Sequence, residues 1–162
     1  MIFRLYSKEK WDELKARSMM NRVFRLFFHK AMLIVIGFLI LLNEGFIWFK
    51  KIDVSLSQRI KVDTFPFVLV LFLLWIWVVT ENRINEVYHY GEPTEKRLRR
   101  IHIIGYTGFI GLLVFGLMEF GAFNLAKTSE VDIVSNLITV AVISLVMAWA
   151  TSFSAVKAYF KK

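Results

Sequence analysis

Apolar residues fall in four long runs along this chain, at residues 31–49, 64–80, 103–126 and 133–156. Apolar side chains surround the whole circumference of each run, whereas a helix on the surface of a soluble protein carries a polar face. A membrane span needs about 20 residues, and lipid offers no partner to open backbone groups, which favours helices. The pattern therefore predicts four transmembrane helices, with a re-entrant segment as the alternative for the shorter second run.

Residues 7–30 follow a different pattern, in which apolar and basic positions interleave. Phe24 and Phe27 alternate with Arg22 and Arg25, for example, and Ser7 stands at the start of the stretch. Serine is a favoured helix N-cap, and basic amphipathic helices lie in the plane of the membrane surface. We therefore predict one interfacial helix over 7–30 that leads into the first span. A plain extension of that span is the alternative.

The segments between the runs predict the order of the helices in space. Residues 81–101 form the longest connection, in which a helix continues to Tyr90, breaks at 91–93 and restarts with Glu95 in its first turn. The segments 50–63 and 127–132 are shorter, so the third and fourth spans form an antiparallel pair. The predicted fold class is an all-α integral membrane protein, an up-down bundle of four transmembrane helices in a single domain, 1–162.

Small residues recur at helical spacing in the last two spans, where they let membrane helices approach closely. The candidate packing positions are Gly108, Gly111, Gly116, Ser144, Ala148 and Ser152. Packing of the third span against the fourth explains them within one chain. A homodimer through the fourth span is the alternative.

Charge predicts the orientation of the bundle. The chain carries a net charge of +8, and 16 of its 21 Lys and Arg residues lie before the first span, between the second and third, or after the fourth. Because such an excess marks the cytoplasmic side, we expect a multi-pass protein of the cell membrane with both termini in the cytoplasm. The basic surface would face anionic lipid headgroups. No segment is long enough for a separate nucleic-acid-binding domain.

Polar residues interrupt the apolar runs near their outer ends. The candidate polar cluster consists of Asn43, Glu44, Glu119, Asn124, Asn136 and Thr139. Charged groups in lipid cost several kcal/mol, so they pair, protonate or face the bundle interior. No Lys or Arg is expected at the depth of Glu44 or Glu119. The cluster is therefore either a cation or proton site, or polar contacts that hold the helices together, and it ends before the inner leaflet.

Other chemistry has little support in the sequence. The absence of cysteine excludes disulfides and thiolate metal sites. His29 and His102 lie at span ends rather than within the apolar core where a haem would be held. Glu86 and His89 have the Glu-x-x-His spacing of carboxylate metal bundles, but those need a second such motif. We therefore expect no enzyme activity, no cofactor and no metal.

The sequence favours a non-enzymatic membrane protein, an accessory, regulatory or immunity-like subunit that acts through membrane partners. The alternative is a small homo-oligomeric transporter or ion-coupled carrier that uses Glu119 and Glu44. The expected partners are a lipid bilayer with anionic headgroups and either another membrane protein or a second copy of the chain. No nucleic acid is expected.

Overall fold

A computed structural model describes residues 3–120 and 133–160, without the side chains of 119–120 and 133–136. These residues form helices α1 (Lys8–Lys15), α2 (Met19–Phe27), α3 (Lys30–Lys50), α4 (Leu56–Tyr90), α5 (Glu95–Phe120) and α6 (Ile133–Phe160). The last four are long and apolar enough to cross a membrane. The predicted fold class, an all-α bundle with four helices suited to crossing a membrane, is confirmed.

The N-terminal stretch forms two helices rather than the one expected over 7–30. Ser7 caps α1 by accepting a hydrogen bond from the Lys10 backbone N–H at 3.4 Å. The chain then turns at Ser18, whose backbone is not helical, as suits a residue type that prefers caps to helix interiors. This turn places α2 beside α4, where Val23 is buried while Met20 and Phe24 stay exposed.

Helix α4 extends well beyond its apolar run at both ends. It begins at Leu56 because Ser55 and Gln58 form a capping box, in which each side chain bonds the backbone of the other. Most of the predicted outer loop, 50–63, is therefore helical, and Pro66 lies inside the helix rather than in its first turn. At the other end α4 continues to Tyr90, so only residues 91–94 separate it from α5.

Consecutive long helices pack side by side, with α5 against both α4 and α6, and α3 against α4 and α2. The Tyr159 hydroxyl, near the end of α6, donates a hydrogen bond to the Phe3 carbonyl oxygen at 3.3 Å. We call the end of the bundle that holds residues 3–29, residues 91–94 and the last turn of α6 the N-terminal end. A hydrophobic cluster there joins Phe3 to Ile84, Leu98 and Val156.

The small residues of α6 face α5 within one chain. Ser144, Ala148 and Ser152 are at most 1% exposed. A Cβ added to Gly111 of α5 would lie 3.6 Å from the Ser144 Oγ atom, which is ordinary contact. The face that was the candidate for a homodimer is therefore covered by α5.

The other candidate glycines of α5 face α4 rather than α6. A Cβ on Gly108 would lie 3.8 Å from Ile76, and one on Gly116 would lie 3.0 Å from Leu69. The closest approach involves Gly105, where an added Cβ would overlap the Thr80 side chain. Helix α5 is thus the central helix, with small residues on two of its faces.

Candidate functional site

Asn43 and Glu44, from the predicted polar cluster, both contact α4. Asn43 is 6% exposed, and its Nδ2 atom donates a hydrogen bond to the Val62 carbonyl oxygen at 3.3 Å. Glu44 forms an ion pair with Arg59, whose Nε donates to Oε1 at 3.0 Å. The expectation that no basic residue pairs with Glu44 is wrong, because α4 starts early enough to place Arg59 beside α3.

Thr139 is the one remaining member of the predicted cluster whose side chain the structure describes. Thr139 lies on an exposed part of α6. Glu119, Asn124 and Asn136 fall outside the side chains that the structure describes. The observed contacts of Asn43 and Glu44 join α3 to α4.

A polar row that was not predicted from the sequence lies in the last turns of α4, at the N-terminal end of the bundle. Glu81, Asn85 and His89 are spaced four residues apart and so share one helix face. They hold residues 3–6, which we call the N-terminal segment. The Arg4 N–H donates to Glu81 Oε1 at 2.9 Å and the Tyr6 N–H to Asn85 Oδ1 at 2.8 Å. Asn85 Nδ2 donates to the Arg4 carbonyl oxygen at 2.8 Å, and His89 Nε2 lies 2.9 Å from that of Tyr6.

Glu81 is the centre of this network. It is 3% exposed, and it accepts hydrogen bonds from Arg22 Nη2 at 3.2 Å, the Tyr6 hydroxyl at 3.1 Å and Trp77 Nε1 at 3.4 Å. With the Arg4 N–H, four donors compensate one buried carboxylate. Burial, followed by the negative charge of Glu81, raises the pKa of the Tyr6 phenol.

The other chemical motifs have separate structural roles. Glu86 pairs with Lys15 at 3.0 Å, whereas His89 contacts the N-terminal segment, so the Glu-x-x-His pair does not converge. His29 caps α3 by accepting from the Ala31 N–H at 3.3 Å. His102 is 1% exposed and packs between aromatic rings, with the Phe3 ring centroid 5.4 Å away. His29 thus acts as a helix cap and His102 as a core residue among aromatic rings.

A groove of about 1230 Å³ lies beneath the N-terminal helices, between α3 and the α4–α5 pair. This volume exceeds the ~300–1,000 Å³ of ordinary small-molecule pockets. Its walls are apolar and include Met32, Val35, Leu39, Leu73, Phe109 and Leu113. Its rim is polar and includes Arg4, Arg17, Ser18, Asn21, Arg22 and Arg25. Val35 at the edge is exposed, so the groove opens on the surface of the bundle.

The groove extends through about half of the expected membrane thickness. Along α4 its lining runs from Glu81 to Val70, which is about 16 Å at 1.5 Å per residue. Half of a ~30 Å hydrocarbon core is about 15 Å. The lining on α3 and α5 ends at Leu39 and Leu113. The groove therefore matches the depth of one leaflet.

Positive charge dominates the rim, because four arginines and one carboxylate line the groove in the part of the chain that the structure describes. The carboxylate, Glu81, forms an ion pair with Arg22, and Arg17 forms an ion pair with Glu13 at 2.7 Å. Arg25 is exposed, and it makes no ion pair or hydrogen bond with any residue that the structure describes. The arrangement can accommodate a molecule with an anionic head and an apolar body.

No family model, curated protein sequence or solved structure matches this chain. The interpretation of the groove therefore rests on its own residues.

Proposed function

We propose that this chain is a non-enzymatic, multi-pass membrane protein that works by binding, and that it holds a membrane amphiphile in the groove. The observation that carries this proposal is the separation of a basic rim from apolar walls over the depth of one leaflet. An amphiphile satisfies both parts at once, because burying its apolar body contributes about 25 cal/mol per Å². Such a protein serves an accessory or regulatory role.

The titratable groups of the rim support binding rather than catalysis. Glu81 accepts four hydrogen bonds, and the Tyr6 hydroxyl donates one of them. A general acid or base must reach the proton that it transfers. The Glu81 carboxylate and the Tyr6 hydroxyl instead form hydrogen bonds that hold the N-terminal segment and α2 in place. They shape the groove rather than act on its occupant.

The ion-coupled carrier has less support as an alternative. The groove ends near mid-depth at Leu39, Val70 and Leu113, whereas a carrier exposes its site to both sides of the membrane. Glu44 lies towards the opposite end of the bundle and pairs with Arg59. A carboxylate with a cationic partner is a weaker cation site than a free one.

Filling the groove tests this proposal. Leu39→Trp would place a larger side chain in the apolar wall, whereas Leu41→Trp adds the same ring on the 70%-exposed outer face of the same helix. Native mass spectrometry of protein released from lipid-containing micelles would measure retained lipid. We expect wild type and Leu41→Trp to retain it and Leu39→Trp to lose most of it. Equal retention by all three would contradict the proposal.

A further inference from the structure

The rim of the groove indicates the class of amphiphile, an inference that rests on the proposed function. We propose that the occupant is an anionic phospholipid from the leaflet at the N-terminal end, with its phosphate beside Arg25 and its acyl chain between α3 and α5. The ligand class follows from three features of the groove, which are its charge, its lack of a free acid and its depth.

The charge of the rim suits a phosphate group. Arg25 has no partner among the described residues, and the partner of Arg17, Glu13, is exposed. A guanidinium offers a planar fork of N–H donors that matches phosphate oxygens in pairs. Basic pockets between transmembrane helices bind anionic headgroups for this reason. Arg25 is thus the primary phosphate contact, and Arg17 is able to leave an exposed carboxylate to assist it.

The same rim disfavours a zwitterionic headgroup. A choline group would place its positive charge among arginines, where like charges repel. Among the described residues, Glu81 is the one carboxylate that lines the groove, and it is buried against Arg22. Ser18 and Asn21 add neutral hydrogen-bonding groups at the rim, which suit a glycerol or ester group. The groove should therefore discriminate between lipids by headgroup charge.

The apolar walls distinguish a lipid from a soluble anion or a protein segment. Met32, Val35 and Phe109 offer no hydrogen bonds from their side chains, so an extended peptide would leave its backbone groups unsatisfied there. A free phosphate would gain nothing from these walls. An acyl chain needs no polar partner, and the lining along α4 is as long as one leaflet is deep.

The test compares two lipids with identical acyl chains, phosphatidylglycerol and phosphatidylcholine. Each is titrated into the whole 162-residue chain in detergent, and binding is measured by native mass spectrometry. Arg25→Gln removes one charge from the rim. Arg83→Gln is the matched control, because Arg83 is an exposed residue of α4, two positions from Glu81, that does not line the groove. Asn21→Glu is a second variant that adds an acid to the rim.

We expect phosphatidylglycerol to bind wild type more tightly than phosphatidylcholine. Arg25→Gln should weaken phosphatidylglycerol about fivefold, the factor for one well-placed arginine. It should weaken phosphatidylcholine less, because loss of the phosphate contact is offset by weaker repulsion of the choline group. Arg83→Gln should behave as wild type. Asn21→Glu should weaken the anionic lipid alone. The preference should also fall with added salt, because rim charges are screened.

The lipid-binding measurements distinguish which part of the two proposals is wrong. If both lipids bind equally and Leu39→Trp reduces both, the groove is a lipid site without charge selectivity, and the phosphate proposal is overturned while the proposed function stands. If Leu39→Trp changes neither lipid, both proposals fail. Equal effects of Arg25→Gln and Arg83→Gln would show a general surface attraction and overturn the assignment of Arg25. Binding of glycerol phosphate alone with the same affinity would overturn the role of the acyl chain.

Discussion

At the scale of single residues, Glu81 joins three parts of the chain. Its carboxylate accepts from the Arg4 backbone in the N-terminal segment, from Arg22 of α2 and from Trp77 of α4. Arg22 and Glu81 are 9% and 3% exposed, so neither charge is well solvated. Removing one member of a buried pair leaves the other uncompensated, which costs more than the net value of the pair.

Glu81→Gln should therefore be strongly destabilising. The glutamine keeps the shape of the side chain but leaves Arg22 without its counter-charge, and we expect a loss of about 3 kcal/mol. The free energy of unfolding in mixed micelles measures this loss. Glu13→Gln is the control, because Glu13 forms its pairs with Lys10 and Arg17 on the exposed surface, where ion pairs contribute little. Similar losses in the two variants would refute the central role of Glu81.

Tyr6 should make the docking of the N-terminal segment sensitive to alkaline pH. Burial and Glu81 raise the pKa of its phenol above the ordinary value near 10. The folded state thus favours the protonated phenol, so this stabilisation is complete below about pH 10 and is lost as pH rises through the folded-state pKa. Subtracting the tyrosinate absorbance titration of Tyr6→Phe from that of wild type should leave a transition above pH 10. A transition at or below the ordinary pKa would contradict this account.

At the scale of elements, α4 connects the two ends of the molecule. Its first turns carry Arg59, which reaches Glu44 of α3, and its last turns carry Glu81 and Asn85, which hold the N-terminal segment. Helix α5 packs along the middle of α4 because glycines permit close approach. The apolar run alone does not reveal this role, because the polar contacts of α4 lie beyond both ends of that run.

The closest contact between α4 and α5 should tolerate no added methyl group. In Gly105→Ala the new Cβ would lie only 2.8 Å from the Thr80 Cβ. Thr80 is held by its hydroxyl bond to the Ile76 carbonyl oxygen at 2.8 Å, so the helices must shift, at a cost of about 1–3 kcal/mol. Gly37→Ala in α3 meets nothing within 4 Å. Thermal unfolding should show a lower midpoint for Gly105→Ala alone, and equal midpoints would argue against the close approach.

At the scale of the whole molecule, the two ends of the bundle differ in their packing and in their charge. The N-terminal end holds the buried polar network, the largest described hydrophobic cluster and the basic rim of the groove. The contact between Tyr159 and Phe3 places both ends of the described chain there. With the charge bias of the sequence, this arrangement favours a cytoplasmic position for the N-terminal end.

The lack of native cysteine makes this orientation directly measurable. Glu92→Cys lies in the turn between α4 and α5 at the N-terminal end, and Ser57→Cys lies in the first turn of α4 at the opposite end; both positions are exposed. In intact cells a membrane-impermeant maleimide should label Ser57→Cys, whereas Glu92→Cys should react only after permeabilisation. The reverse pattern would place the N-terminal end outside the cytoplasm.

The sequence by itself determined the features that depend on local pattern. Four runs without a polar face predict four spanning helices, because backbone N–H and C=O groups in lipid must form their hydrogen bonds within the segment. Ser7 predicts the start of α1, and residues 91–93 predict the break before Glu95, because capping and helix termination act over a few residues. The packing of α5 against α6 at Gly111 and Ser144 also follows the spacing of small residues.

Tertiary structure decided which polar groups meet, because residues far apart in sequence converge only after the helices pack. Glu44 had no basic partner in the sequence-based prediction because Arg59 was expected in a loop rather than on α4. The roles of Glu81 and Asn85 were not predicted, although their four-residue spacing is visible in the sequence, because their partners are backbone groups more than 70 residues away. The groove likewise arises from the turn at Ser18 that lays α2 over α3 and α4. Local pattern thus determined the helices, and long-range packing determined the site.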